Sequence, residues 1–395
     1  MKQALENIRI LDLTRVLAGP YATMILADMG ADVIKIEVPK TGDDSRGYGP
    51  YLNEESAYFM SINRNKRSMT LNLKTEKGKE IFLEIIKDMD VLVENYRPGT
   101  MEKLGLGYDY LSTINPKLIY AAASGYGHTG PYSKRAAYDA VVQAMGGIMS
   151  ITGEKDGKAT RVGSSIGDIS AGMFTAIGIL AALESRHTTG KGQKVDVAML
   201  DCQVAMLENA IARYYVTGDV PRPYGNRHTS IVPFETFETS DGEIMVAAGN
   251  NNLWAKLCEC LETRELIHDE RFKDNPLRNE NYDELRPLLS PAFKVKTTKE
   301  WQLCLDMEGI PNGPINSIDM VVNDPQVLAR EMIVEIEHPI AGNFKMPGIP
   351  IKLSNTPGSI RTPAPVLGQH TEEILKEYLK YDDETVEELF SDGVL

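Results

Sequence analysis

Cysteine is scarce in this sequence: Cys202, Cys258, Cys260 and Cys304 are the whole complement of 395 residues. They are too few for a disulfide framework and lack a zinc-ligand spacing; Cys258 and Cys260 are two apart, so on a helix they diverge. Free thiols in a reducing compartment are expected. Excess positive charge is also missing. Lys and Arg number 42 against 56 Asp and Glu, a net charge of −14, which disfavours a nucleic-acid partner because phosphate backbones require a concentrated basic face. An anionic small ligand would need a local basic patch instead. The longest nearly apolar run, Ile169 to Leu183, falls short of the roughly 20 residues that a membrane span requires. No membrane partner is expected. Glu6, Arg9 and Asp12 interrupt the N-terminal stretch, so no secretory signal is readable and a cytoplasmic location is expected. HExxH and the GxxxxGK[ST] loop are absent.

What is present is an ordinary globular composition, 42% hydrophobic and 25% charged, on a chain long enough for two domains. IRILDL reads as a strand, RVLAGP as a turn, YATMILADM as a helix and GADVIKIE as a second strand. SMTLNL, EKGKEIFLEIIKDM, VLVEN, LIYAAAS and YDAVVQAMGG continue the alternation, followed by a helix over 168–187, the strand KVDVAML and a long helix from Asp201 to about Tyr215. Strands alternating with helices predict an α/β fold with a mostly parallel sheet. Pro- and Gly-rich segments at 217–233 and 353–365 read as connectors. The expected organisation is a large Rossmann-like domain from 1–215, a linker and smaller α+β domain from 216–329, and a return to the large domain over 330–395.

A strand-turn-helix opening suggests dinucleotide binding. That reading requires three glycines spaced GxGxxG after the first strand, and only Gly19 is present, so a pyrophosphate could not approach the helix closely.

RVGSSIGDISAGMFTAIGILAAL raises a different question, because one carboxylate, Asp168, stands where an apolar helix begins. Asp is a good helix cap. Equally, helix-end N–H groups would hold the carboxylate ionised beside a Gly-flanked turn, a setting suited to a nucleophile. The residues alone leave both readings open.

Taken in order, LDLTRVLAGPYATMILADMGADVIKIE, NKRSMTLNLKTEKGK, VLVENYRPGTMEKLGLGY, SGYGHTGPY, AYDAVVQAMGG and GDISAGMFTAIGILAALESRHTTGKGQKVDVAMLD resemble the class III coenzyme A transferases nearly end to end. The resemblance implies that Asp168 is the catalytic nucleophile, passing through an aspartyl mixed anhydride and an aspartyl-coenzyme A thioester. It implies no metal and no cofactor, coenzyme A entering as the thioester substrate. Val16, Leu17, Ala18, Leu71, Lys74, Asn95, Tyr96, Arg97 and Lys103 match the family's coenzyme A site, with Arg46 a weaker candidate. Arg97 could fork two phosphate oxygens and Lys74 or Lys103 act as point charges. Val38 stands where some members have an Arg, so adenine packing differs. Tyr138 and Asp139 match a Tyr-acid pair, Asp being one methylene shorter than the Glu of some members.

The resemblance further implies an interlocked homodimer. The stretch GNRHTSIVPFETFETSDGEIMVAAGNNNLW is similar to members that use dicarboxylic acids. Gly249 would let the chain turn, and Asn250 would offer an amide to a carboxylate such as succinate; Arg227 and His228 could add charge. The rival reading is a 2-methylacyl-coenzyme A racemase of the same fold. It needs a His immediately before Asp139, where this sequence has Tyr138, and His128 lies ten residues earlier in a turn.

Overall fold

Ile10 and Leu11 are adjacent on one strand and both fully buried, because successive side chains point to opposite faces and helices cover each face of a parallel sheet. That strand, β1 (Arg9–Asp12), is followed by helix α1 (Ala18–Asp28), β2 (Asp32–Glu37), β3 (Lys66–Thr70), α2 (Glu76–Ile86), β4 (Val91–Glu94), β5 (Ile119–Ser124), α3 (Asp139–Met145), α4 (Ile166–Thr189) and β6 (Lys194–Ala198). In the computed structural model, which describes residues 2–395, the six strands form one parallel sheet in the order β3-β2-β1-β4-β5-β6. This is the strand order of a doubly wound dinucleotide-binding sheet, whose ligand crevice opens where the order reverses, beyond the carboxyl ends of β1 and β4.

One face of the sheet contributes Ile10, Val33, Val91 and Ile119 to a core shared with Ala22 and Leu26 of α1 and Ile179 and Leu183 of α4. On the other face Leu11, Ile34, Leu92 and Tyr120 pack with Ile81 and Ile85 of α2 and with Ile374 and Leu389 from the far end of the sequence. Gly172 sets how closely α4 approaches α1, since a Cβ there would lie 2.7 Å from the Ala18 carbonyl oxygen. Glycine is what the contact permits.

The first unit comprises residues up to 149, 161–218 and 326–395; the second comprises 150–160 and 219–325. Residues 150–160, read from the sequence as part of 1–215, lie in the second unit. Its core joins Phe237, Trp254, Phe293 and Trp301 beneath a three-stranded antiparallel sheet. Two expectations are corrected. The helix read from Asp201 to Tyr215 is two, α5 (Met199–Met206) and α6 (Glu208–Thr217), broken at Leu207, where ψ of 13° leaves the helical range; apolar periodicity runs through such a break unchanged. Likewise α4, at 24 residues, is long and apolar enough to cross a membrane by length and composition, half of that stretch being buried within this fold.

Candidate active site

The sheet's topology brings together residues far apart in sequence. At the carboxyl ends of β1 and β4 lies a cleft of about 250 Å³ lined by Val16, Leu17, Ala18, Asn95, Tyr96, Arg97, Tyr138 and Asp168. A larger cleft of about 650 Å³ shares Arg15 and Tyr96 with it and is lined by Leu71, Lys74, Val38 and Lys40. Of the expected binding residues, Lys103, Asp139, Gly249 and Asn250 line neither; Lys103 belongs to the expected coenzyme A set. Lys103 is exposed, and among the described residues it has no carboxylate partner.

Asp168 sits in the first turn of α4 without capping it. The cap position is Ser165, which places Asp168 three residues inside, and no group among the described residues donates a hydrogen bond to its carboxylate. The capping contact comes from a neighbouring helix: Asp139 accepts the Gly167 N–H at 2.8 Å through Oδ1 and the Gln143 side-chain amide at 2.7 Å through Oδ2. Burial pushes the Asp168 carboxyl up to about 7, and the Asp139 charge adds to the rise. The sequence-based picture of a carboxylate held ionised by helix N–H groups is therefore corrected, since desolvation outweighs the helix end here. Asp139 is buried and directed at Gly167, whereas Tyr138 is 75% exposed in the cleft.

Asn95 is committed to the backbone. Its Oδ1 accepts the Arg15 N–H at 2.8 Å and its Nδ2 donates to the Arg15 carbonyl at 2.7 Å, so it shapes the turn with both polar ends. Glu94, just before it, accepts the Tyr96 N–H at 2.8 Å and the Tyr120 hydroxyl at 3.3 Å, and burial pushes its carboxyl up to about 7. Arg97 and Lys74 are exposed and unpaired among the described residues, which leaves their charge available to a phosphate.

Arg46 is not available. It grips Glu37 with two contacts of 2.7 Å, donates to the Pro365 carbonyl at 3.0 Å and lies 3.6 Å from the Phe59 ring centroid. Four cleft-lining cations went unnoticed in the sequence: Arg15, 5.2 Å from the Tyr96 ring centroid and paired with Asp44 at 3.1 Å, Lys35, Lys40 and Arg135. The Tyr58 hydroxyl, which lines neither cleft, is pushed up to about 12 by burial and next by the Asp168 charge.

Gly249, Asn250, Arg227 and His228 belong to the second unit. A Cβ on Gly249 would lie 1.9 Å from an Ile231 methyl, and the Asn250 side chain caps α7 (Asn251–Cys260) by accepting the Leu253 N–H at 2.9 Å. Arg227 lies 3.5 Å from the Tyr282 ring centroid, and His228 stacks on Phe234 while accepting the N–H groups of Ser230 and Ile231. His128 contacts Lys194 at 3.0 Å and Glu94 at 3.7 Å; it does not line the cleft of Asp168.

Residues 5–371 match the profile of CoA-transferase family III. The chain belongs to that family. It is 45% identical over 392 residues to succinyl-CoA:glutarate CoA-transferase of Homo sapiens, covering 99% of this chain and 90% of that protein. It is 42% identical to acetyl-CoA:oxalate CoA-transferase of Acetobacter aceti, covering 95% and 96%. The crystal structure of a CAIB/BAIF family protein from Brucella suis superposes with a TM-score of 0.85 at 38% identity, covering 96% of this chain and all of that one. The protein is thus a class III coenzyme A transferase, an enzyme acting on acyl-coenzyme A and carboxylic acids.

Proposed function

We propose that this transferase moves coenzyme A from an acyl-coenzyme A to a short dicarboxylic acid, with Asp168 as the nucleophile. A carboxylate oxygen of Asp168 attacks the thioester carbonyl, the C–S bond breaks, and an aspartyl mixed anhydride and coenzyme A thiolate result. The thiolate attacks the aspartyl carbonyl, releasing the donor acid and leaving an aspartyl thioester. The acceptor carboxylate then retraces these steps. Covalent catalysis divides one hard exchange into easier ones, and the scheme uses no metal or cofactor.

The observation that carries the reading is a hydrogen-bond-free carboxylate in the same cleft as Arg97 and the turn after β1. Coenzyme A phosphates are expected on Arg97 and Lys74, the thioester beside Val16 to Ala18. Dicarboxylic acids named for the Homo sapiens and Acetobacter aceti relatives, glutarate and oxalate, favour a short diacid here. An interlocked homodimer in the cytoplasm is part of the same proposal. Asp168→Asn should abolish transfer with the fold intact, and hydroxylamine should trap an acyl group on Asp168 of the native enzyme. Near-native transfer by Asp168→Ala would sink the assignment. Succinate should give a higher kcat/KM than acetate or butyrate, and the reverse order would remove the diacid. Exchange of an acyl α-proton with solvent deuterium, without transfer, would favour the racemase.

A further inference from the structure

The turn after β1 is held almost entirely by side chains from other parts of the chain. The Thr14 N–H donates to Asp12 Oδ1 at 2.8 Å and its carbonyl accepts from Lys35 Nζ at 2.7 Å. Both Arg15 backbone groups are taken by Asn95. The Val16 N–H donates to Asp43 Oδ1 at 3.0 Å, and Asp43 Oδ2 meets Lys35 Nζ at 2.8 Å with both side chains fully buried. The Ser45 N–H and hydroxyl, at 2.9 and 2.8 Å, fix the same Oδ1.

What this clamp restrains is unusual. Val16 has φ of +67°, the left-handed region, where a β-branched side chain is a marked outlier. Such a conformation persists only where its surroundings over-determine it, and it gathers at functional sites. Val16, Leu17 and Ala18 form one wall of the cleft that holds Asp168. A relaxed Val16 would swing that wall, because φ here steers the chain into α1 two residues later.

We propose that Asp43 is a positioning residue for coenzyme A: its carboxylate, fixed by Lys35, holds the Val16 peptide in the left-handed conformation that shapes the cleft wall. The inference rests on the transferase reading for its ligand. Asp43→Asn is the informative change, since whichever way the amide is turned, its N–H2 opposes either the Lys35 ammonium or the Val16 N–H. Glycine adopts positive φ without steric cost, so Val16→Gly should compensate.

The measurement is the coenzyme A dissociation constant by titration calorimetry, which does not depend on turnover, for native protein, Asp43→Asn and Asp43→Asn/Val16→Gly. The single variant should bind at least tenfold more weakly and the double variant recover at least threefold of that. Native affinity in Asp43→Asn, or no recovery in the double variant, overturns the proposal. Should Asp43→Asn fail to fold, Val16→Gly in the native background decides: a raised melting temperature supports a strained Val16, and an equal or lower one overturns it. Native protein that binds coenzyme A but transfers none would defeat the catalytic reading alone, the clamp still being judged by the dissociation constants.

Discussion

The carboxylate of Asp139 caps the helix that carries Asp168, through a 2.8 Å hydrogen bond from the Gly167 N–H. Asp168 is thereby relieved of the capping role for which its place in the sequence suits it, and its oxygens stay free. The same neighbour makes ionising Asp168 harder. Removing it has two separable effects. Asp139→Ala should cost about 1–2 kcal/mol in chemical denaturation through the lost cap. In Asp139→Asn the acid limb of the transfer rate should move to lower pH, because a negative neighbour is gone; an unmoved limb would contradict the electrostatic coupling.

Asp168 also makes a signed prediction about stability. Its pKa is raised from 3.8 to about 7 in the folded protein, so the folded state holds the proton more tightly than the unfolded one. Its contribution is fully present below 3.8 and lost as pH rises through about 7. Asp168→Asn should therefore be more stable than the native protein at pH 8, on the order of 2 kcal/mol. The advantage should shrink between pH 7 and 4. Parallel urea midpoints at pH 8 and pH 5 test this, and a gap that is equal at both would refute it.

Arg97→Ala should weaken coenzyme A binding by about 1.5–3 kcal/mol if the guanidinium pairs with a phosphate. Arg97→Lys should recover only part of this, since an ammonium cannot fork two oxygens. Dissociation constants at two salt concentrations would show it, and an unchanged value for the Ala variant would place Arg97 outside the site.

Arg46 should behave in the opposite way. Its bidentate contact with the buried Glu37 is structural, so Arg46→Ala should cost about 3–5 kcal/mol of stability. The fraction that remains folded at low temperature should bind coenzyme A as the native protein does. A large affinity loss at undiminished stability would return Arg46 to the binding site.

Much of this could be read from residue order. The strand and helix alternation predicts the parallel sheet, and VLVENYRPG placed Asn95, Tyr96 and Arg97 where β4 ends. Pattern reading could not distinguish residues that touch ligand from residues that build the turn, because Asn95 and Arg97 are equally polar and lie two apart. Asp139 was legible as a site acid but not as a cap, a role fixed only when α3 and α4 meet. One cue was available and went unused. Lys35 interrupts the apolar run of DVIKIE, and a Lys on a strand covered on both faces must have a buried partner; that partner is Asp43. Nothing in the periodicity marks Leu207 as a helix break.

The return of the last segment to the first unit has a consequence for synthesis. Ile374, Leu375, Val386 and Leu389 complete the core that begins with Leu11, Ile34 and α2, so a growing chain would carry part of that face of its sheet uncovered until nearly every residue has left the ribosome. Residues 219–325 wait for no such late arrival. Domains fold as units once their residues are available, which makes the inserted unit the earlier of the two to finish, though its sequence begins later. A ribosome-bound chain halted after residue 365 should resist protease over 219–325 while its first 149 residues are cut.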